Sequence, residues 1–179
     1  GACRVIGREV AKRLASDGAN LILISRTKKE LKETHDVINT FSNSSSYFVL
    51  DISDNGAVKK AYETIINKYG KIDCLVNNAG VQAPIGPFSK TNLDEWKKNF
   101  EINLFGTVNC SFAFLKNMIK RREGKIVNMS GGGSTSLRPN FSAYAVSKTA
   151  IVRFTETLAE EVKAFNIDVN SVAPGAVNT

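Results

Sequence analysis

Short apolar runs alternate along the chain with longer stretches in which apolar residues recur every three or four positions. The runs predict buried strands and the longer spacing predicts helices with one face against a sheet. Strands are expected at 20–25 (NLILIS), 47–51 (YFVLD), 72–78 (IDCLVNN), 125–130 (KIVNMS) and 167–173 (IDVNSVA). Helices are expected over 8–18, over the polar stretch after the first strand, and over 55–70, the first and third stopped by Gly18 and Gly70. Two longer helices are expected over 93–121 and 141–164, the former after a loop carrying Gly80, Pro84, Gly86 and Pro87. Strands separated by helices of several turns form βαβ units, so the expected fold is α/β: a parallel sheet with helices on both faces.

Composition changes this picture little. A chain of 179 residues, 42% hydrophobic and 23% charged, suits one soluble globular domain. No apolar run reaches membrane-spanning length and no signal-peptide pattern is present, so a cytoplasmic protein without a membrane partner is expected. Three widely spaced cysteines and the single His35 fit a reducing compartment and offer no metal-ligand spacing, so no metal is expected. Cys74 and Cys110 fall in apolar surroundings and read as buried small hydrophobes. The net charge of +7 is dispersed, with its densest clusters, KRRE at 120–123 and RTKKELKE at 26–33, reading as solvated helix faces. An anionic small molecule is therefore a better expectation than a nucleic acid.

The candidate chemistry lies at the strand ends. GACRVIGREVA, residues 1–11, is a glycine-bearing turn entering a helix, which presents backbone N–H groups and a helix N-terminus to a pyrophosphate. The second strand of such a unit would end in a carboxylate for the ribose of NAD. Here it ends in Ser25 and Arg26, and arginine suits a 2′-phosphate, with Arg4 as a second cation. Taken singly, each arginine reads equally well as a surface charge. Asn78, Ala79 and Gly80 in NNAG, and Pro174 and Gly175 in APG, read alone as turn chemistry. Tyr144 and Lys148 stand four apart on one helical face, a spacing that many amphipathic helices carry by chance.

In order, the chain presents a glycine turn, Arg26, DIS (51–53), NNAG (77–80), INLFGT (102–107), YAVSK (144–148) and VAPGAVNT (172–179). Together these resemble the short-chain dehydrogenase/reductase family over essentially the whole length. The resemblance implies a Rossmann-type doubly wound parallel sheet in three layers, and an oxidoreductase interconverting a carbonyl and a secondary alcohol with NADP(H) preferred over NAD(H). It implies that Tyr144 is the general acid or base, that Lys148 favours its ionised form and bonds the nicotinamide ribose, and that Asn103 holds a proton-relay water. A free phenol titrates near ~10, so such help is needed at neutral pH. The resemblance further implies cofactor contacts from Gly1, Arg4, Ile6, Gly7, Ser25 and Arg26. It adds Asp51 and Ile52 beside the adenine, Asn78, Ala79 and Gly80 along the strand end, and Pro174, Gly175, Val177 and Thr179 around the nicotinamide amide. A homodimer or homotetramer paired through the helices around 93–121 and 141–164 is also implied, with Phe112, Phe114, Val152 and Phe154 as outward apolar positions.

Two positions depart from the family pattern. Val5 stands where a motif glycine is usual, and Gly131 stands thirteen residues before Tyr144, where the family places a substrate-orienting serine. Ser130, Ser134 or no serine at all are the three readings of that loss. The departures motivate a contrary reading, a nucleotide-binding relative without turnover. The chain starts inside the glycine turn and stops just after a strand, so residues 1–179 read as a single NADP(H)-binding domain truncated at both ends. The substrate stays open among sugars, steroids, acyl thioesters and small ketones.

Overall fold

The computed structural model describes residues 1–2, 4–41 and 44–175, which gather into two compact units, residues 1–51 and 52–175. In the first unit, helix α1 (Val5–Ser16), strand β1 (Ile22–Ser25), helix α2 (Lys28–Ile38) and strand β2 (Ser46–Val49) follow one another. Strands β1 and β2 are parallel, with Ile22 opposite Ser46 and Ser25 opposite Val49. Ala11 and Ala15 of α1 pack with Leu23, Leu31 and Ile38 into a small core. The small alanine side chains let α1 approach closely. The Gly1 nitrogen donates to the Ile24 carbonyl at 2.8 Å, tying the glycine turn to β1.

The helix begins three residues earlier than its pattern predicts, at Val5, and that residue has φ of +37°. Left-handed backbone is costly for a β-branched side chain, which is the physical meaning of the missing glycine there.

The second unit contains helices α3 (Asn55–Tyr69), α4 (Leu93–Phe100), α5 (Gly106–Arg121) and α6 (Ser142–Val162), and strands β3 (Cys74–Asn77), β4 (Gly124–Met129) and β5 (Ile167–Val172). The strands form a parallel sheet in the order β3-β4-β5. Gly124, Ile126 and Asn128 of β4 and Ile167 and Val169 of β5 are buried, while the alternating Lys125 and Asp168 pair at the exposed surface at 2.6 Å. Met118, Ile126, Leu158, Val162, Ile167 and Val169 make the core between sheet and helices. Parallel sheets flanked by helices are the expected α/β arrangement.

The helices start and stop for local reasons. Asp54 accepts from Ala57 N at the head of α3, and Gly70 ends that helix at φ of +75°. Asn92 accepts from Asp94 N and Glu95 N, and those two acids face the positive end of α4. The long helix expected over 93–121 is interrupted by one π-type turn, Glu101–Phe105, between α4 and α5. A π turn adds a residue to the helical repeat and re-aims the side chains within it.

Gly106 follows at once, and a β-carbon there would lie 2.5 Å from Ile52 Cδ1. The glycine thus admits Ile52, while Asn109 donates to the Ile52 and Ser53 carbonyls at 3.0 and 3.3 Å.

Two burial expectations are corrected. Phe114 is buried edge-on against Tyr62, with ring centroids 5.3 Å apart, whereas Phe112 on the neighbouring face is exposed. Helical phase decides between them: Phe114 shares the buried face with Cys110 and Met118. Cys74 is exposed, because it opens β3 and only β4 pairs with that strand among the described residues, while Cys110 is buried as expected. Among the described residues no helix is long and apolar enough to cross a membrane.

Candidate active site

Beneath the carboxyl ends of the second unit's strands runs a buried chain of polar side chains. Asn77 at the end of β3 faces Asn128 on β4 and donates to its Oδ1 at 2.9 Å and to Ser111 Oγ on α5 at 3.1 Å. Asn128 in turn donates to Thr155 on α6 at 2.9 Å, and the threonine hydroxyl donates to the Ile151 carbonyl. All four side chains are buried and paired, the condition under which polar groups are tolerated in an interior.

Above this chain, α6 presents Tyr144, Ser147 and Lys148 on one face, since residues three and four apart are neighbours on a helix. Lys148 is 4% exposed and its Nζ donates to the Met129 carbonyl at 2.7 Å. An ammonium has three donors, so two are left for other partners. Burial lowers the Lys148 pKa to about 8. Lys148 Nζ stands 5.9 Å from the centre of the Tyr144 ring. A β-carbon on Gly80 would come within 3.3 Å of Lys148 Nζ and 3.2 Å of Asn103 Oδ1, so the strand-end backbone closely approaches both groups.

Asn103, fully buried in the π turn, clamps that same strand end. Its Oδ1 accepts from Val81 N at 2.8 Å, and its Nδ2 faces the Val81 carbonyl at 3.0 Å, Asn99 Oδ1 at 2.9 Å and Ser147 Oγ at 3.0 Å. Asn99 donates to the Val81 and Ala83 carbonyls. The Asn103 side chain is thus occupied within the protein, while its own carbonyl accepts from Thr107.

The loop after β4 carries the remaining candidates. Ser130 is buried, and its hydroxyl donates to the Val172 carbonyl of β5 at 3.4 Å. Ser134 donates from Oγ to the Gly131 carbonyl at 2.7 Å, closing its own turn. A β-carbon on Gly131 would overlap the Tyr144 hydroxyl. Arg138, half-buried, lays its guanidinium over Phe141 at 4.0 Å and over Tyr144 at 5.2 Å from the ring centres.

In the first unit, Gly7 is buried and Ile6 half-buried at the start of α1. Arg4 pairs with Glu30 at 2.8 Å, and Arg26 pairs with Asp51 at 3.3 Å, both pairs near the surface. Ser25 closes β1 beside Arg26.

A family model described as short chain dehydrogenase matches residues 1–179. The chain belongs to the short-chain dehydrogenase family. Over its whole length it is 34% identical to a 2,3-dihydro-2,3-dihydroxybenzoate dehydrogenase of Bacillus subtilis, covering 68% of that protein. It is 32% identical to a 3-oxoacyl-[acyl-carrier-protein] reductase of Thermotoga maritima, covering 72% of it. Among solved structures, 98% of the chain superposes on an NAD+-bound xylitol dehydrogenase with a TM-score of 0.94 at 31% identity, covering 67% of that chain. All of it superposes on a gluconate 5-dehydrogenase from Burkholderia cenocepacia in complex with NADP and tartrate, with a TM-score of 0.91 at 30% identity and 70% of that chain covered. These neighbours establish the Rossmann-type fold of the short-chain dehydrogenases for this chain.

Within that family frame, Tyr144, Lys148, Asn103, Asn78, Ala79 and Gly80 all belong to the second unit. The first three are buried, and Lys148 and Asn103 meet at Gly80. Pro174 and Gly175 lie just past β5, and Val177 and Thr179 lie outside the described residues. Sequence reasoning missed the buried Asn77–Asn128 pair, Asn99, Ser147 and Arg138. For Ser147 a signal existed, since it shares the helical face of Tyr144 and Lys148.

Proposed function

We propose that the chain is the nucleotide-binding, proton-transferring part of an NADP(H)-dependent oxidoreductase that interconverts a carbonyl and a secondary alcohol. One observation carries this reading: a buried lysine with two unspent donors stands beside Tyr144, with the strand-end backbone of Gly80 against it. Buried donors without partners are costly, and a ribose diol would satisfy them. A residue larger than glycine at position 80 would crowd that approach. In the first unit, Arg26 and Arg4, with Ser25 in place of a carboxylate, suit a 2′-phosphate. Their present partners are surface carboxylates, and exposed ion pairs of that kind are worth only about 0–1 kcal/mol.

When bound, the nicotinamide supplies or accepts the hydride. Tyr144 gives its phenolic proton to the carbonyl oxygen in reduction and takes the hydroxyl proton in oxidation. Lys148 holds positive charge next to Tyr144 and positions the ribose. Asn103 holds the Val81 backbone, and its carbonyl lies in the π turn from which a relay water would be held. Ser130 is the side-chain hydroxyl nearest in sequence to the vacant serine position, and it orients the substrate oxygen once its weak 3.4 Å bond to Val172 is released. The protein is further proposed to be a cytoplasmic homodimer or homotetramer. The reading without turnover is the weaker one, because a pure binding protein has no use for Tyr144, Lys148 and Asn103 together.

The test is NADPH oxidation by the intact protein with a panel of neutral ketones, and the same with Tyr144→Phe. Turnover that vanishes in Tyr144→Phe while the NADPH dissociation constant changes less than threefold is expected. Equal turnover by both proteins would overturn the role of Tyr144. Equal affinities for NADPH and NADH would overturn the cofactor preference.

A further inference from the structure

We propose that Arg138 is an anion-binding residue of the Tyr144 site, and that the substrate carries a carboxylate or phosphate close to its carbonyl. The inference rests on the oxidoreductase reading above and adds to it the substrate class. Arg138 lies in the loop between β4 and α6, six residues before the tyrosine. Its guanidinium covers the face of Phe141 at 4.0 Å and the face of Tyr144 at 5.2 Å. Contact with two rings restricts the guanidinium, so its N–H donors are partly placed before any ligand arrives. No ion pair to a carboxylate engages Arg138 among the described residues, whereas Arg4, Arg26, Arg121 and Arg153 all have one. A half-buried, pre-oriented guanidinium without a counter-ion is matched by a bidentate anionic group. Because it covers the ring of the proton donor itself, an anion bound there sits within one small molecule's length of the substrate carbonyl.

The geometry also separates two jobs. Lys148 is turned into the protein, toward Met129 and Gly80, and serves the cofactor end. Arg138 comes from the loop between β4 and α6, next to the exposed Leu137, and serves the substrate.

The experiment uses the intact protein with NADPH and matched pairs of probes: 2-oxobutanoate, 3-oxobutanoate and 4-oxopentanoate against their methyl esters, and dihydroxyacetone phosphate against dihydroxyacetone. At least one anionic probe is expected to exceed its neutral partner in kcat/KM by tenfold or more, and which pair does so distinguishes carboxylate from phosphate. Arg138→Ala should remove that preference, raising KM for the anionic probe at least tenfold more than for its neutral partner, and Arg138→Lys should restore part of it. Turnover of neutral probes without preference for any anion overturns the anion assignment alone. A preference that survives in Arg138→Ala, or an equal loss for anionic and neutral probes, overturns the role of Arg138. Absence of turnover with every probe overturns both this inference and the oxidoreductase reading.

Discussion

Gly131 and Tyr144 interlock: the phenolic oxygen occupies the space that a β-carbon on the glycine would need. The glycine has an extended backbone, with φ of 174°, so its requirement is steric and owes nothing to a left-handed conformation. The position that the family pattern fills with serine is therefore built here around having no side chain. Gly131→Ser, which restores the family residue, is expected to damage the protein. Overpacking of this kind costs about 1–3 kcal/mol. The variant should melt below the parent, and turnover should fall at least tenfold as Tyr144 is displaced. A thermal melt and a steady-state assay check it; parental values in both would show that the loop relaxes freely.

Lys148 makes stability depend on pH in a defined direction. Its pKa is about 8 in the folded protein and near ~10.4 when unfolded, so between those values the unfolded chain binds more protons. Stability contributed by this group therefore rises with pH across that window. Below it the full cost of burying the ammonium is present, on the order of 3 kcal/mol. Lys148→Met, measured without nucleotide, should be more stable than the parent at pH 7, with the gap closing toward pH ~10.4. Urea midpoints at several pH values check this, and a gap independent of pH would contradict it.

Asn103→Leu keeps the branched shape of the side chain and removes the clamp on Val81. It strands a backbone N–H and deprives the Val81 carbonyl, Asn99 and Ser147 of a partner. Each stranded buried group costs about 1–3 kcal/mol, so a loss of about 3 kcal/mol is expected. The Val81 amide should exchange with deuterium at least tenfold faster than in the parent. Unchanged exchange would show that Asn99 holds the segment alone.

Val5→Gly is expected to stabilise. Relief of a left-handed β-branched residue is worth about 1–2 kcal/mol, and the added freedom of the unfolded glycine takes back about 0.5–1 kcal/mol. A net gain of about 0.5–1 kcal/mol should appear in the denaturant midpoint, with Val5→Ala gaining less. A lower midpoint for Val5→Gly would mean that the valine side chain contributes packing that outweighs its backbone strain.

Much of the fold and part of the site are legible in the sequence. All five strands fall inside their predicted runs to within one or two residues, because period and turn residues are local signals. Tyr144, Lys148 and Asn103 were visible as motif positions. The rest depends on facts that have no period. Asn77 at a strand end reads as turn chemistry until Asn128 is seen opposite it. Phe114 and Phe112 differ only in helical phase, and Cys74 is exposed by which strand pairs with β3. Arg138 gains its meaning from a loop whose path over Phe141 and Tyr144 no spacing rule describes.

The Asn77–Asn128 pair has one more consequence. Leu75, Val76, Ile126 and Val127 are nearly interchangeable aliphatics, and such strands, sliding past each other by two residues, would bury much the same surface. The two amides are not interchangeable, because any slip would break the bond between them and leave the Asn128 amide oxygen without its donor in a dry interior. They index the strands against each other as a notch indexes a gear. The backbones that emerge just beyond them, at Gly80 on one side and Gly131 on the other, therefore leave the sheet at the same height, and Lys148 and Tyr144 meet them there.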